Sequence, residues 1–334
     1  MPDPLSPFLQ SHPEGLYAPA FDAFLDPHES VARAILSHAH ADHAIAGLGE
    51  VWATPETLAL YRRRHPEWNG TARELSYDEA FERGAARLTF FPAGHILGSA
   101  QIFLEQDGRS LLYTGDFKRR ASATSVTARA PRANVLLTET TFGLPVFRFP
   151  AREELAERLV AACRGALEEG KTPVLLAYAL GKSQEAAAIL DAAGIPTVFH
   201  GAAWKLLPDY AAAGFHFPLG RAYTDGPVGP GEALIAPPNC VRTPVIQKIK
   251  KRRVLYLSGW AMRAASRTDF DADVLLPMSD HADFDELLGH IDEVRPETVL
   301  TMHGYAKDFA RIVESRGIGA APLMEAAERR PEDA

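Results

Sequence analysis

Four potential metal ligands, His38, His40, Asp42 and His43, crowd into the stretch from Ser37 to Gly47, directly after the apolar run Ala34-Ile35-Leu36. That run reads as a buried strand, so the ligands leave the end of one strand. Alternation along an extended segment throws His38 and His40 to the same side, and the turn that follows brings Asp42 and His43 toward a second point nearby. One short loop can therefore feed two cations. Imidazole with carboxylate suits zinc, with manganese or iron as alternatives, and the lack of cysteine in the cluster argues for an open, water-bearing site over a closed structural one. Upstream, Asp26 closes an apparent strand and is placed to accept a hydrogen bond from a ligating histidine; Asp22 is a rival for that role.

The same grammar of strand followed by ligand recurs. Leu88 to Phe91 runs into Pro92-Ala93-Gly94-His95, whose glycine lets the backbone bring a histidine close to another group, which makes His95 the next metal ligand. The apolar residues before Gly115-Asp116 place a carboxylate where it can bridge two cations, while Lys118, Arg119 and Arg120 face an anionic substrate. Glu139 follows the strand Val135-Leu136-Leu137 and precedes a glycine turn, a poor place for a merely solvated carboxylate. His281 and His303 also follow apolar runs, Val274 to Leu276 and Val299 to Met302.

The elements that must hold these residues are legible too. Asp107-Gly108 between apolar runs signals a tight hairpin. Thr54 and Pro55 start a helix to about Arg64, whose three terminal arginines suit a solvated helix end. From Ala151 to Glu169 leucines and Cys163 recur every four residues, and alternating strand and helix patterns follow. Within that region Gly181-Lys182-Ser183 opens a helix and offers backbone N–H groups, a cation and a hydroxyl to a phosphate. Position 176 is Leu, so this is no nucleotide-binding P-loop. A helix from Ala203 to Ala213 comes next, and another starts near Phe284. The run Lys248, Lys250, Lys251, Arg252 and Arg253 is the densest basic cluster in the chain.

At 334 residues and 46% hydrophobic content the chain can bury a large core. A formal charge of −8 excludes a protein that coats nucleic acid by overall charge but allows a local basic groove. Two distant cysteines, Cys163 and Cys240, imply neither disulfides nor a cysteine-rich metal site, and fit a reducing cytoplasm. No apolar run is long enough to span a bilayer, so the expectation is a cytoplasmic protein with no membrane attachment.

With these residues in place, the chain resembles the metallo-β-lactamase superfamily and, within it, the β-CASP nucleases. His38-x-His40-x-Asp42-His43, Gly94-His95 and Gly115-Asp116 match the superfamily's metal signature; Thr138 to Gly143, Ser279 to Asp283 and Met302-His303-Gly304 match three further β-CASP motifs. More narrowly, Gly15-Leu16-Tyr17 and Ser279-Asp280-His281-Ala282-Asp283 look like the bacterial DNA-ligase-associated exonucleases. The resemblance implies an α/β protein, a four-layer αββα metallo-β-lactamase domain (residues 1–148 and 255–334) with an α/β β-CASP domain inserted at 149–254. It implies two divalent metal ions, Zn2+ or Mn2+: His38, His40 and His95 would hold one, Asp42, His43 and His303 the other, with Asp116 bridging. The catalytic group would comprise His281, Glu139 and Asp42, with a shared hydroxide attacking phosphorus and His281, kept protonated by Glu139, as general acid. Lys182, Ser183, Arg119 and Arg120 would hold backbone phosphates. The implied activity is phosphodiester hydrolysis by a DNA exonuclease acting in repair, on single-stranded DNA or a free end, with a functional link to a DNA ligase. The alternative is an RNA endo- or exonuclease, because His303 is shared with RNA-processing members. Thioester or lactam hydrolysis would use the same metal loop but would have no need of Glu139, His281 or the insert.

Overall fold

The computed structural model describes residues 4–323, which fall into two compact units. The first is built from the chain up to Ala121, Ser125–Arg148, and the chain from His281 onward. It contains two sheets. One orders its strands Gln10–His12, Gly15–Ala18, Ala23–Leu25, Arg33–Ile35, Glu50–Ala53, Thr71–Glu74. The other runs Gly319–Pro322, Thr298–Met302, Val135–Glu139, Arg109–Tyr113, Ala100–Gln106, Ala86–Pro92, Ala80–Arg83.

Side-chain alternation explains how the sheets stack. Phe90, Ile102, Leu104, Leu111, Tyr113, Val135, Leu137 and Leu300 point from the second sheet into a core shared with Leu16, Leu25, Ile35 and Trp52 of the first. Their sequence neighbours Phe103, Leu112, Leu136 and Val299 point the other way, onto the helices Phe284–Val294 and Ala306–Ser315 through Leu287, Ile291, Phe309 and Val313. On the far side, Ala34, Leu36, Val51 and Ala53 of the first sheet meet Leu58 and Tyr61 of the helix Pro55–Arg64. Helix, sheet, sheet, helix make the expected four-layer αββα domain.

Local signals hold where they were strongest. Asp107 and Gly108 both take positive φ, 51° and 74°, and join strands paired from Gln106 to Arg109, as a two-residue hairpin turn requires. Thr54 caps its helix by accepting from the Thr57 N–H at 3.2 Å. The helix from Phe284 begins with a reciprocal cap: Asp283 accepts from the Glu286 N–H at 2.9 Å and Glu286 from the Asp283 N–H at 3.0 Å.

The second unit, Ser122–Thr124 with Phe149–Asp280, is a parallel sheet ordered Gly220–Ala222, Thr197–Phe199, Ala233–Ala236, Thr172–Leu176, Arg252–Leu257, Val274–Leu276. Leu175, Ile235, Leu255 and Leu257 face the helices Arg152–Glu168 and Lys182–Ala192, and Val174, Leu176, Leu234, Val254 and Tyr256 face the opposite side. Two expectations are corrected here. The insert does not close at 254: Leu255 pairs beside Leu175 and Val274 beside Leu255, so the strands up to Leu276 belong to this sheet and the unit runs to Asp280. A parallel strand buried on both faces carries nothing local that says which sheet it joins. The helix expected from Ala203 to Ala213 is two helices, Gly201–Trp204 and Leu207–Ala212. Pro208 stands at the start of the second because it has no N–H to continue the first.

Candidate metal centre

The strand Arg33–Ile35 delivers the histidine loop into the edge of the double-sheet unit, and the ends of Ala86–Pro92, Arg109–Tyr113 and Val135–Glu139 come to the same edge. Two glycines allow the close approach. Gly115 has φ +52°, and a Cβ there would lie 2.6 Å from the Ser37 side chain; Gly94 has φ +75°, and a Cβ there would press on the Lys118 carbonyl oxygen.

His38, His40 and His95 surround one point, with ring centroids 4.7 to 4.9 Å apart, and His43 lies 4.2 Å from His38. His95 Nε2 stands 2.9 Å from His40 Nδ1. One oxygen of Asp116, Oδ2, faces them all: 3.5 Å from His38 Nε2, 3.6 Å from His43 Nε2, 3.7 Å from His95 Nε2 and 4.0 Å from His281 Nδ1. Among the described residues His38, His40, His95 and Asp116 form one group of donors within 4.8 Å, and Asp116, Glu139 and His281 another. Asp116 is common to both groups, but the second contains Glu139 and His281 in place of the Asp42, His43 and His303 expected at a second ion.

Asp26, rather than Asp22, supports the loop. Its Oδ1 accepts from the Ser37 N–H at 2.7 Å; its Oδ2 accepts from Ser37 Oγ at 2.5 Å and Tyr113 Oη at 2.9 Å, and stands 2.8 Å from His43 Nδ1. A carboxylate only accepts, so Nδ1 of His43 carries a hydrogen, and Nε2, which faces Asp116, is the nitrogen a cation would take once its proton is displaced. Asp22 is instead held by Tyr17 and Arg33, both at 2.9 Å. Tyr113 and Ser37 were not anticipated, since Tyr113 reaches a residue 87 positions away.

Glu139 is 1% exposed and fully engaged: it accepts from the Phe117 N–H at 2.9 Å and Thr141 Oγ1 at 2.5 Å, and both its oxygens are 3.0 Å from His281 Nδ1. Burial would raise its pKa, but the His281 charge and these donors outweigh that and lower it. His281, 24% exposed at its side chain, is therefore gripped at Nδ1 by an ionised carboxylate.

His43 and Asp116 show what the pocket is built for. Burial disfavours the charged form of His43, yet Asp116, Asp26 and Asp42 raise its pKa to about 10. Burial raises the pKa of Asp116. Burial and then the neighbouring imidazoles push His38 well below its ordinary value, and its buried Nε2 has no hydrogen-bond partner among the described residues. Imidazole nitrogens that would give up their protons to an incoming cation, together with a buried carboxylate aimed at one point, are the donor set of a divalent ion, and the residues fit that group.

The remaining expected residues are less uniform. Asp42 Oδ2 lies 3.7 Å from His43 Nε2. His303, at φ +59°, has its ring centroid 6.1 Å from that of His43. Neither joins a group of three donors within 4.8 Å among the described residues, so the trio Asp42, His43 and His303 is adjacent but not drawn together.

The four residues expected on phosphates all have partners within the protein. Lys182 is 3% exposed, with Nζ 2.7 Å from Asp280, and Ser183, wholly buried, donates to the Tyr178 carbonyl at 2.6 Å. The Gly181 N–H at that helix start is taken by Gln184 Oε1 at 2.8 Å. Arg119 pairs with Glu293 at 2.7 Å, and Arg120 with Asp283 at 2.7 Å and Glu286 at 2.6 Å. Each is used inside its own unit. Arg64, read as part of a solvated helix end, donates to the Ala39 carbonyl of the histidine loop.

No family model matches the chain. It is 35% identical over 319 residues to a protein of Opitutus terrae named "Probable DNA ligase", across 93% of this chain and 30% of that one. It is 31% identical over 185 residues to the "RNase J-like protein" of Methanocaldococcus jannaschii, covering 49% and 44%. To "Cleavage and polyadenylation specificity factor subunit 3" of Dictyostelium discoideum it is 27% identical over 206 residues, covering 52% and 26%. The chain thus spans less than half the length of each of these relatives. A solved Enterococcus faecalis protein of unknown function shares the fold, with a TM-score of 0.61 at 13% identity, covering 89% of this chain and 80% of that one.

The αββα unit, the histidine and carboxylate cluster and the inserted parallel sheet define a metallo-β-lactamase fold. Within that class, the motifs and these likenesses put the chain in the β-CASP family.

Proposed function

We propose that this chain is a metal-dependent nuclease that hydrolyses phosphodiester bonds, most specifically a DNA exonuclease serving repair in the cytoplasm. The observation that carries this reading is the Glu139–His281 pair beside Asp116, with Nδ1 to carboxylate distances of 3.0 Å. A hydrolase of lactams or thioesters has no use for it. Phosphodiester cleavage has: the leaving oxygen departs as an alkoxide and needs a proton.

His38, His40, His95 and Asp116 would hold one divalent ion, and His43 with Asp42, His303 and the same Asp116 a second. Bound there, zinc or manganese would activate water and neutralise charge on the non-bridging phosphate oxygens. The chain's own part is positional. Asp26 keeps the hydrogen of His43 on Nδ1, Glu139 holds His281 by Nδ1, and His281 gives the proton at Nε2 to the leaving oxygen. DNA as substrate, and a working link to a ligase, are supported by the likeness across 93% of the chain to the protein named as a probable DNA ligase. RNA is the second reading, favoured by the relatives named as RNase J-like and as a cleavage and polyadenylation specificity factor subunit.

The test uses His281→Ala with bound metal measured alongside turnover on matched labelled DNA and RNA strands. Hydrolysis should fall by about 10²- to 10⁴-fold with metal content retained; unchanged turnover would remove His281 from the reaction. Separate labels at each end read polarity.

A further inference from the structure

Acidic residues outnumber basic ones 43 to 35 over the chain, yet between Glu232 and Asp269 there is no Asp or Glu at all. Arg242, Lys248, Lys250, Lys251, Arg252 and Arg253 crowd into the middle of that stretch. In the fold it is the return from the end of the strand Ala233–Ala236 to the start of Arg252–Leu257, along one face of the inserted sheet. Val241 and Ile246 pin it there, packed among Val174, Leu176 and Tyr256. With the apolar side chains turned inward, Arg242, Lys248, Lys250 and Lys251 stand exposed.

Their pairing differs from that of their neighbours. Arg253 bonds both oxygens of Glu169 at 2.7 Å, and Lys171 reaches the same carboxylate at 2.8 Å, which leaves that end of the sheet with two cations to one acid. Arg252 donates to the Ile249 carbonyl at 3.0 Å. Arg242, Lys248, Lys250 and Lys251 have no ion pair among the described residues, whereas Lys182, Arg119 and Arg120 are all internally neutralised. A solvated face ordinarily mixes signs, and like charges left together repel. Four cations without an ion pair among the described residues, on an anchored loop of an acidic protein, complement an external polyanion, and a phosphodiester backbone supplies one charge per nucleotide.

We propose that this loop is a second, sequence-independent nucleic-acid contact surface, gripping the strand backbone through Arg242, Lys248, Lys250 and Lys251. The proposal rests on the nuclease reading for its choice of polyanion. It makes affinity depend on strand length, because a longer backbone offers the four cations more phosphates to contact.

The test compares the full chain with a variant carrying Arg242→Gln, Lys248→Gln, Lys250→Gln and Lys251→Gln, and with one carrying Arg242→Lys and the three Lys→Arg changes. Anisotropy of a labelled 30-nucleotide single strand is read across a salt series, and turnover of bis(p-nitrophenyl) phosphate beside it. At roughly 0.7 counterions per contact, four lost contacts flatten the log–log salt slope by about 3 and weaken binding at ~0.1 M salt by roughly 10²- to 10³-fold. The charge-retaining variant should keep both slope and affinity, and small-diester turnover should not change in either. Equal slopes for all three proteins overturn the proposal, as does a variant that loses binding to anionic phospholipid vesicles but not to the strand. Failure of the wild type to cut any diester, with strand binding still lost in the Gln variant, would instead sink the nuclease reading and leave the loop standing.

Discussion

Asp26→Asn isolates the positioning carboxylate of the histidine loop with almost no change of shape. The carboxylate meets four donors, at 2.7 Å (Ser37 N–H), 2.5 Å (Ser37 Oγ), 2.9 Å (Tyr113 Oη) and 2.8 Å (His43 Nδ1). An asparagine can keep its carbonyl toward the Ser37 N–H, but then its NH2 faces the other three. The two hydroxyls can rotate to accept; a ring N–H cannot. A neutral His43, the form that binds metal, must then keep its hydrogen on Nε2, 3.6 Å from Asp116 Oδ2 and on the side where a cation would take a lone pair. Loss of such an orienting partner costs about 10- to 100-fold in metal affinity, or about 1.4 to 2.7 kcal/mol. Competition with a chromophoric chelator on metal-free protein reads this directly, with Asp22→Asn as control: Asp22 pairs with Arg33 at a side-chain exposure of 61% and touches none of the loop. An Asp26→Asn affinity within twofold of wild type, or an equal loss in Asp22→Asn, would refute the reasoning.

Three further outcomes follow from the same contacts. His290 is buried against Phe117, and burial, then the Arg119 charge, lowers its pKa from 6.5 to about 3. Between those values the unfolded chain binds a proton that the folded one refuses, so stability is full above about pH 6.5 and falls toward pH 3, by about 1.4 kcal/mol per pH unit; denaturant titrations of His290→Phe should show a correspondingly flatter slope between pH 6.5 and 4, and coincident slopes would refute it. Gly94→Ala forces a side chain onto φ +75° and against the Lys118 carbonyl, so it should cost about 1–3 kcal/mol from the backbone alone, and an unshifted melting temperature would contradict the close approach. Lys182→Met removes the ammonium 2.7 Å from the Asp280 carboxylate, 5% exposed at its side chain, and should destabilise the protein by about 3–5 kcal/mol, with Asp280→Asn added on top recovering part of it; a raised KM at unchanged stability would restore Lys182 to phosphate binding.

What the sequence determined by itself was local. The strand exits carrying His38, His95, Asp116 and Glu139, the Asp107-Gly108 turn, the Thr54 cap and the start of the helix at Phe284 are each written within a few residues, because period-two apolar runs, positive-φ turns and caps are properties of short segments. Family motifs added the convergence of those exits, which no single segment carries. Tertiary structure alone decided everything that depends on a partner far along the chain. It chose Asp26 over Asp22 for His43, placed Arg252–Leu257 and Val274–Leu276 in the inserted sheet, and consumed Lys182, Arg119 and Arg120 in bonds to residues 98, 174 and 166 positions away. A lysine at a helix start or an arginine after a strand looks the same in sequence whether it meets a phosphate or a carboxylate. Only the packing that brings Asp280, Glu293 and Glu286 beside them settles which charge each one neutralises.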